Sequence, residues 1–466
     1  MKTEMPRNRV LEADSYKLSH AQVMPPEATG SHAAITPRRK GFTMKLFGPQ
    51  MWIMKTLLTP ITWKEVNEAE QFAKLHGEPF DVGAWAYLID RYGGFLPLSI
   101  RAVPEGLPVP SGLPLVTIEC DDPDLHWLVS YIETSLQRAV WYPTTVASED
   151  GIRYNIIKKY LAYSSDKPES IAFMLHDFGA RGCSSGESAE IGGAAHLMHF
   201  MGSDTMEGVR AANWYYSSNM AGFSVPATEH SVQTAYGPHD QLRYLETVLD
   251  KFAKPGAIVS IVLDGYDLWR EAGIMCGKLK DKVINSEARV VFRPDSGDPV
   301  EIIERLIDML AYSYGYTYNS KGFKVINNVG ILQGDGIDTA MVEALYGLIT
   351  NMGYAAENLV LGSGGGLLQK VNRDTFSFAQ KVSAIRVGGQ WKPVFKNPVT
   401  DPGKSSHGGR QTLLRSKMTG EFMVGEYGRP HDESWEDVMQ VIYDGVGLRN
   451  PTTLDEIRAR ATAKVK

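Results

Sequence analysis

Short apolar runs that end in Asp or Gly and lead into helical patterns predict an α/β fold built on a parallel sheet. Three observations carry this expectation. From about residue 171 the runs Ile171–Leu175, Ala257–Leu263, Val290–Phe292, Val329–Leu332 and Leu359–Leu361 recur with helical patterns between them. The runs are continuously apolar, as strands covered on both faces are. Polar residues stand just past their carboxyl ends, where such sheets place their sites. A closed β/α barrel and an open doubly wound sheet both fit this local pattern.

The flanking regions read differently. Residues 1–165 are mixed α+β, with amphipathic helical patterns at Lys45–Leu58, Trp63–His76, Leu125–Tyr142 and Ser148–Ser164. Between them Leu98–Cys120 is too rich in Pro and Gly for a helix and reads as short strands joined by turns. Residues 166–385 hold the β/α part. Residues 386–466 belong to a region of strands and loops, with a hairpin at Thr419–Gly420 and a helix from about Thr453, which folds back to complete the N-terminal region as one second domain.

Composition narrows the function classes. The chain has 466 residues, enough for two to four domains, and 43% hydrophobic residues, enough for a sizeable core. A net charge of −6 argues against non-specific nucleic-acid binding, so an anionic substrate must be met by local Arg and Lys. Cys120, Cys183 and Cys276 are odd in number and far apart, which suggests neither a disulfide framework nor a zinc site. No signal peptide and no spanning apolar run is apparent, so a cytoplasmic chain without membrane partners is expected.

Several strand-end segments can carry chemistry. Gly362–Gly366, GSGGG, lets backbone N–H groups approach a phosphate, although a tight turn would also use one or two of its glycines. QGDGID gives Gly334 and Asp335 a second such turn, with a turn or cap aspartate as the plainer reading. In RPDSGDP, Asp298, Pro299 and Glu301 form a helix start, whereas Arg293 and Asp295 precede it, as ligand contacts or as an ion pair. Asp264 either caps its turn or joins Asp295 at a sheet end, where paired carboxylates suit Mg²⁺ or a cationic sugar carbon. HDFGARG offers Phe178 for stacking, although a lone Phe after a strand is more often core, and Arg181 for an anion. SVPATEHS places His230 in a loop between helical patterns, where solvent exposure is the ordinary fate of one histidine.

Taken together, DSYK, the Arg38–Lys40 cluster, VPEG, LHDFGARG, GSDT, GFSVPATEHS, DGYD, RPDSGDP, QGDGID, GSGGGLLQK, NRD and VFKNPVTDP resemble nicotinamide phosphoribosyltransferases along nearly the whole chain. The resemblance implies an irregular β/α barrel plus a second mixed domain built from both chain ends. It also implies a homodimer with shared active sites, and transfer of phosphoribosyl from phosphoribosyl pyrophosphate to nicotinamide. Phe178 would stack on the nicotinamide ring, with Tyr16 of the partner subunit on the other face. Asp204 of GSDT would accept from the carboxamide, and Arg293 would reach the same end. Arg181 and His230 would line the pyrophosphate region, and Asp295 would hold the ribose with Asp264 close by. Gly334, Asp335, Gly364 and Gly365 would cradle ribose and 5′-phosphate, and Arg373, Arg38 and Lys396 would add positive charge. Mg²⁺ would be held mainly through pyrophosphate, and ATP would couple through phosphorylation of His230. Asp204 favours the amide over nicotinate, whose carboxylate it would repel. A non-catalytic sugar-phosphate-binding barrel is the alternative from another class. Two departures stand out: Ala180 replaces a larger aromatic in HDFG-x-RG, and Asp401–Arg410 is poor in lysine.

Overall fold

The computed structural model describes residues 5–400 and 406–463, so the Asp401–Arg410 stretch and the end of VFKNPVTDP fall partly outside the described residues. The chain divides into two compact units. One comprises residues 1–148, 215–217 and 372–466, and the other residues 149–214 and 218–371. The units change over at 148/149 and 371/372, whereas the sequence division put these points at 165 and 385. The physical reason lies in two long elements. The helix Glu133–Ser164 runs through the first changeover, and the strand Phe378–Val387 pairs along Ala28–Pro37.

The first unit is an antiparallel sheet made from both chain ends. Its strands run in the order Gln390–Pro393, Phe378–Val387, Ala28–Pro37, Val116–Cys120, Ser99–Ala102 and Gln440–Asp444. Ile35, Ile100, Val116 and Ile118 are fully buried from this sheet, together with Val66, Leu88 and Leu136 from helices. Helix Trp63–His76 starts where predicted because Thr62 and Glu65 form a capping box, and it stops at Gly77 in the left-handed region. The patterns at Leu125–Tyr142 and Ser148–Ser164 become a short helix, Leu128–Tyr131, and the single helix Glu133–Ser164. Pro143 lies inside the latter. Burial of Val140, Val146 and Ala147 on either side holds the helix through the lost N–H.

The second unit is the parallel part. Its six strands follow the order Gly202–Ser203, Leu175–Asp177, Leu359–Ser363, Val329–Gln333, Arg289–Arg293 and Ile258–Val262. The segment 223–227 links the two outer strands. Phe223 bridges in parallel to Gly202, and Ala227 to Ser260. Ser203 N donates to Phe223 O at 3.0 Å, and Ser260 N to Pro226 O at 2.9 Å. Single bridges thus carry the sheet round on itself, and the open doubly wound alternative falls away. Ile261, Phe292, Ile331 and Leu361 pack with Leu306, Leu310, Leu345 and Ile349 of the covering helices.

Two local expectations are corrected. Ile171–Leu175 is not a strand: Pro168–Phe173 is a 3₁₀ helix, and the strand begins at Leu175, because Pro168 sets a turn and Met174 N donates back to Ile171 O at 3.2 Å. His230 is not in a loop but is the first residue of the helix His230–Ala235. Among the described residues no helix is long and apolar enough to cross a membrane.

Candidate active site

Most candidates in the second unit stand at or just beyond a parallel strand's carboxyl end, the position that backbone hydrogen bonding leaves open, and His230 opens the helix after segment 223–227. Phe178 follows Leu175–Asp177 and donates its N–H to Ser363 O at 2.9 Å. Its ring lies across Gly362, where a Cβ would overlap it, and beside Gly334, whose Cβ would come within 3.7 Å of the ring. The same Gly334 position lies 3.1 Å from Asp295 Oδ1. An aromatic face, two bare backbone segments and a carboxylate therefore share one floor.

The charged centre sits next to it. Asp264 is almost fully buried and its Oδ1 lies 2.9 Å from His230 Nε2. Its Oδ2 accepts from Asp295 N at 3.0 Å and from Ser296 Oγ at 2.5 Å. His230 is 43% exposed and turns Nδ1 towards Asp295 Oδ2 at 3.9 Å, so the imidazole is accessible while held between two carboxylates. Burial raises the Asp295 carboxyl, with Arg293 opposing and Asp264 and Asp335 adding to the rise. Arg293 ends its strand with Nε buried and without a hydrogen-bond partner. A carboxylate trio of this kind is electrostatically ready for a positive centre.

Asp204 follows Gly202–Ser203; its N–H donates to Asp177 O at 2.9 Å, and its Oδ1 accepts from Ser224 Oγ at 2.5 Å. Ser224 escaped the sequence reading, because nothing local marks a serine 20 residues away as a partner. Gly364 precedes the short helix Gly365–Leu368, and a Cβ at Gly365 would meet nothing, so its backbone stays open to a ligand. Gly182 packs against Gly365, its Cβ falling 3.1 Å from the Gly365 Cα, which joins the HDFGARG turn to the glycine loop. Arg181 is 88% exposed and only loosely paired with Glu229 at 4.0 Å. Among the described residues no three His, Cys, Asp or Glu side chains converge as a metal cage.

The first unit holds the other candidates. Arg38 donates Nε to Ser377 O at 3.2 Å, and Arg373 pairs with Asp374 at 3.2 Å. Burial lowers the pKa of Lys381, and the charges of Arg38, Lys396 and Arg373 lower it further. The Glu133 carboxylate opposes these cations, and the sequence reading missed Lys381. Tyr16 is 53% exposed, its ring 5.3 Å from that of His20.

Residues 173–439 match the nicotinate phosphoribosyltransferase (NAPRTase) family model, and residues 8–100 match the nicotinamide phosphoribosyltransferase N-terminal domain. The chain is 42% identical over 462 residues to a nicotinamide phosphoribosyltransferase of Xanthomonas campestris pv. campestris, covering 98% of each. It is 31% identical to one of Acinetobacter baylyi, covering 97% of each. The fold is similar to nicotinate-nucleotide pyrophosphorylase of Pyrococcus furiosus, with a TM-score of 0.63 at 17% identity over 99% of this chain and 97% of that one. It is also similar to human nicotinic acid phosphoribosyltransferase, with a TM-score of 0.62 at 17% identity, over 96% and 92%.

Proposed function

The chain belongs to the nicotinamide phosphoribosyltransferases within the NAPRTase family, and from that premise we propose how its residues carry out the reaction. The 5-phosphoribosyl group of phosphoribosyl pyrophosphate passes to the ring nitrogen of nicotinamide, giving nicotinamide mononucleotide and pyrophosphate in NAD salvage. The observation that carries this is the strand-end floor, with Phe178 across Gly362 and Gly334 beside Asp295. The pyridine ring stacks on Phe178, and its carboxamide NH₂ donates to Asp204. Arg293 reaches the same end. Asp295, Asp335 and Gly334 take the ribose, Gly364 and Gly365 the 5′-phosphate, and Arg181 and His230 the pyrophosphate.

The C1–O bond to pyrophosphate breaks as the C1–N bond forms, and positive charge grows on the sugar beside Asp295 and Asp264. No proton is removed, because the pyridine nitrogen carries none, so the residues act by alignment and charge. The donors fit an Mg²⁺ held mainly by pyrophosphate: Asp264 has both oxygens engaged, which leaves Asp295 as the side chain to reach it. When bound, the ion neutralises the leaving group. Arg38, Arg373 and Lys396 add phosphate contacts, and Tyr16 from the partner of a homodimer covers the second ring face. ATP phosphorylates His230, whose exposed ring between two carboxylates supports that role. The enzyme works in the cytoplasm.

Product formation from phosphoribosyl pyrophosphate and Mg²⁺, with nicotinamide or nicotinate and with or without ATP, tests the whole reading. Nucleotide from the amide alone supports it; nucleotide from nicotinate alone overturns the specificity. His230→Ala should abolish ATP stimulation and leave basal transfer measurable, and full stimulation in that variant removes the phosphohistidine.

A further inference from the structure

Behind Phe178 and Asp204 lies a buried charge cluster that the proposed chemistry does not use. Asp150, Asp177 and His196 are fully buried, and Arg153 is nearly so. His196 Nδ1 lies 2.7 Å from Asp150 Oδ2, and Nε2 lies 3.1 Å from the Gly202 carbonyl oxygen. A carbonyl has no proton to give, so Nε2–H donates there. Arg153 Nη1 holds Asp150 Oδ1 at 2.9 Å and keeps it a carboxylate, so Nδ1–H donates as well. Both ring nitrogens therefore face acceptors, the arrangement that favours an imidazolium.

His196 contacts one half of the nicotinamide floor and acts on the other by its charge. Through Gly202 it grips the short strand that delivers Asp204. Its charge also acts on Asp177, whose Oδ1 accepts from Gly179 N at 2.7 Å and whose carbonyl accepts from Asp204 N at 2.9 Å. Asp177 therefore joins the turn carrying Phe178 to the residue that reads the amide. Its second oxygen, Oδ2, is buried beside Gly193, with the Thr205 hydroxyl near it. Burial raises this carboxyl, and the charge of His196 opposes the rise. Close packing fixes the helix that ends in His196: the helix Gly186–His196 meets Gly208, where a Cβ would fall 2.6 Å from Gly193.

We propose that His196, fixed by Asp150 and coupled to Asp177, is the positioning residue of the nicotinamide subsite. It sets the distance between the stacking ring of Phe178 and the amide-reading carboxylate of Asp204. The inference rests on the function proposed above and adds to it a device that acts on the base and not on the sugar phosphate.

The test compares the full-length chain with His196→Asn and Asp177→Asn by steady-state kinetics, and by calorimetric titration with nicotinamide alone. The KM and the Kd for nicotinamide should rise about tenfold in His196→Asn, the effect of a lost charge-assisted contact. The KM for phosphoribosyl pyrophosphate should stay within about twofold. Asp177→Asn, which keeps an oxygen for Gly179, should fall between the two proteins. Equal changes in both KM values, or an unchanged nicotinamide KM in a folded variant, overturn the assignment. If neither variant folds, ¹⁵N spectra of His196 in the wild-type chain decide: two protonated ring nitrogens support the device, and a neutral tautomer overturns it. A wild-type chain that binds nicotinamide but makes no nucleotide refutes the proposed function, while the binding comparison still judges His196.

Discussion

Ser224 and Asp204 show how much a single hydroxyl can add. The Ser224 hydroxyl holds one oxygen of Asp204 at 2.5 Å, which leaves the other oxygen aimed by a fixed neighbour. Ser224→Ala should therefore raise the KM for nicotinamide about three- to tenfold, the usual worth of one hydrogen bond, with kcat little changed. Competition kinetics between the two pyridines check the partner residue. Asp204→Asn removes the charge that repels a carboxylate, so the preference for nicotinamide over nicotinate should shrink; unchanged selectivity would leave Asp204 only a structural role. The motifs brought Phe178, Asp204, Asp264, Arg293, Asp295 and Gly364 forward as candidates, because each lies in a short segment beside a strand end. His196 and Asp150 were not readable. They are 46 residues apart on two helices, and neither interrupts its helical pattern.

At the scale of the element, glycines decide what can approach what. Gly362 sits where any Cβ would overlap the Phe178 ring. Gly362→Ala should displace that ring and lower kcat/KM for nicotinamide about 10- to 100-fold, from overpacking of about 1–3 kcal/mol. A circular-dichroism melt should show the sheet still formed. Helix Trp63–His76 of the first unit offers a contrast. Removing the Thr62 cap by Thr62→Ala should cost about 1 kcal/mol, read by denaturant unfolding, without touching turnover. Such a cap is legible because its two partners lie three residues apart. The single helix Glu133–Ser164 was not legible as one element, because its two patterns stop short of one another on either side of Pro143.

Across the whole molecule the buried ionisable groups give the first unit a pH dependence. Glu105 receives the Gly48 and Gln50 N–H groups at 3.1 and 2.9 Å, with Tyr216 and the Arg460 guanidinium near it. Burial outweighs these partners and pushes its carboxyl from 4.5 up to about 7. The folded chain therefore holds this proton where the unfolded chain has lost it. Its contribution is fully present below pH 4.5, falls as pH rises from 4.5 to about 7, and is level above that. Thermal midpoints measured over that window should fall less steeply in Glu105→Gln than in the parent chain, and parallel curves would remove Glu105 from the account. By itself the sequence determined the alternation of parallel strands and helices, the strand ends that bear Gly, Asp and Arg, and several of the helix caps, because each rests on residues within one or two turns of one another. Only the tertiary structure decided the joining of the sheet edges by residues 223–227, the pairing of Ser224 with Asp204 and the charge cluster around His196. Those depend on which distant segments are buried together, and a low-dielectric interior gives such contacts strengths that no local pattern encodes.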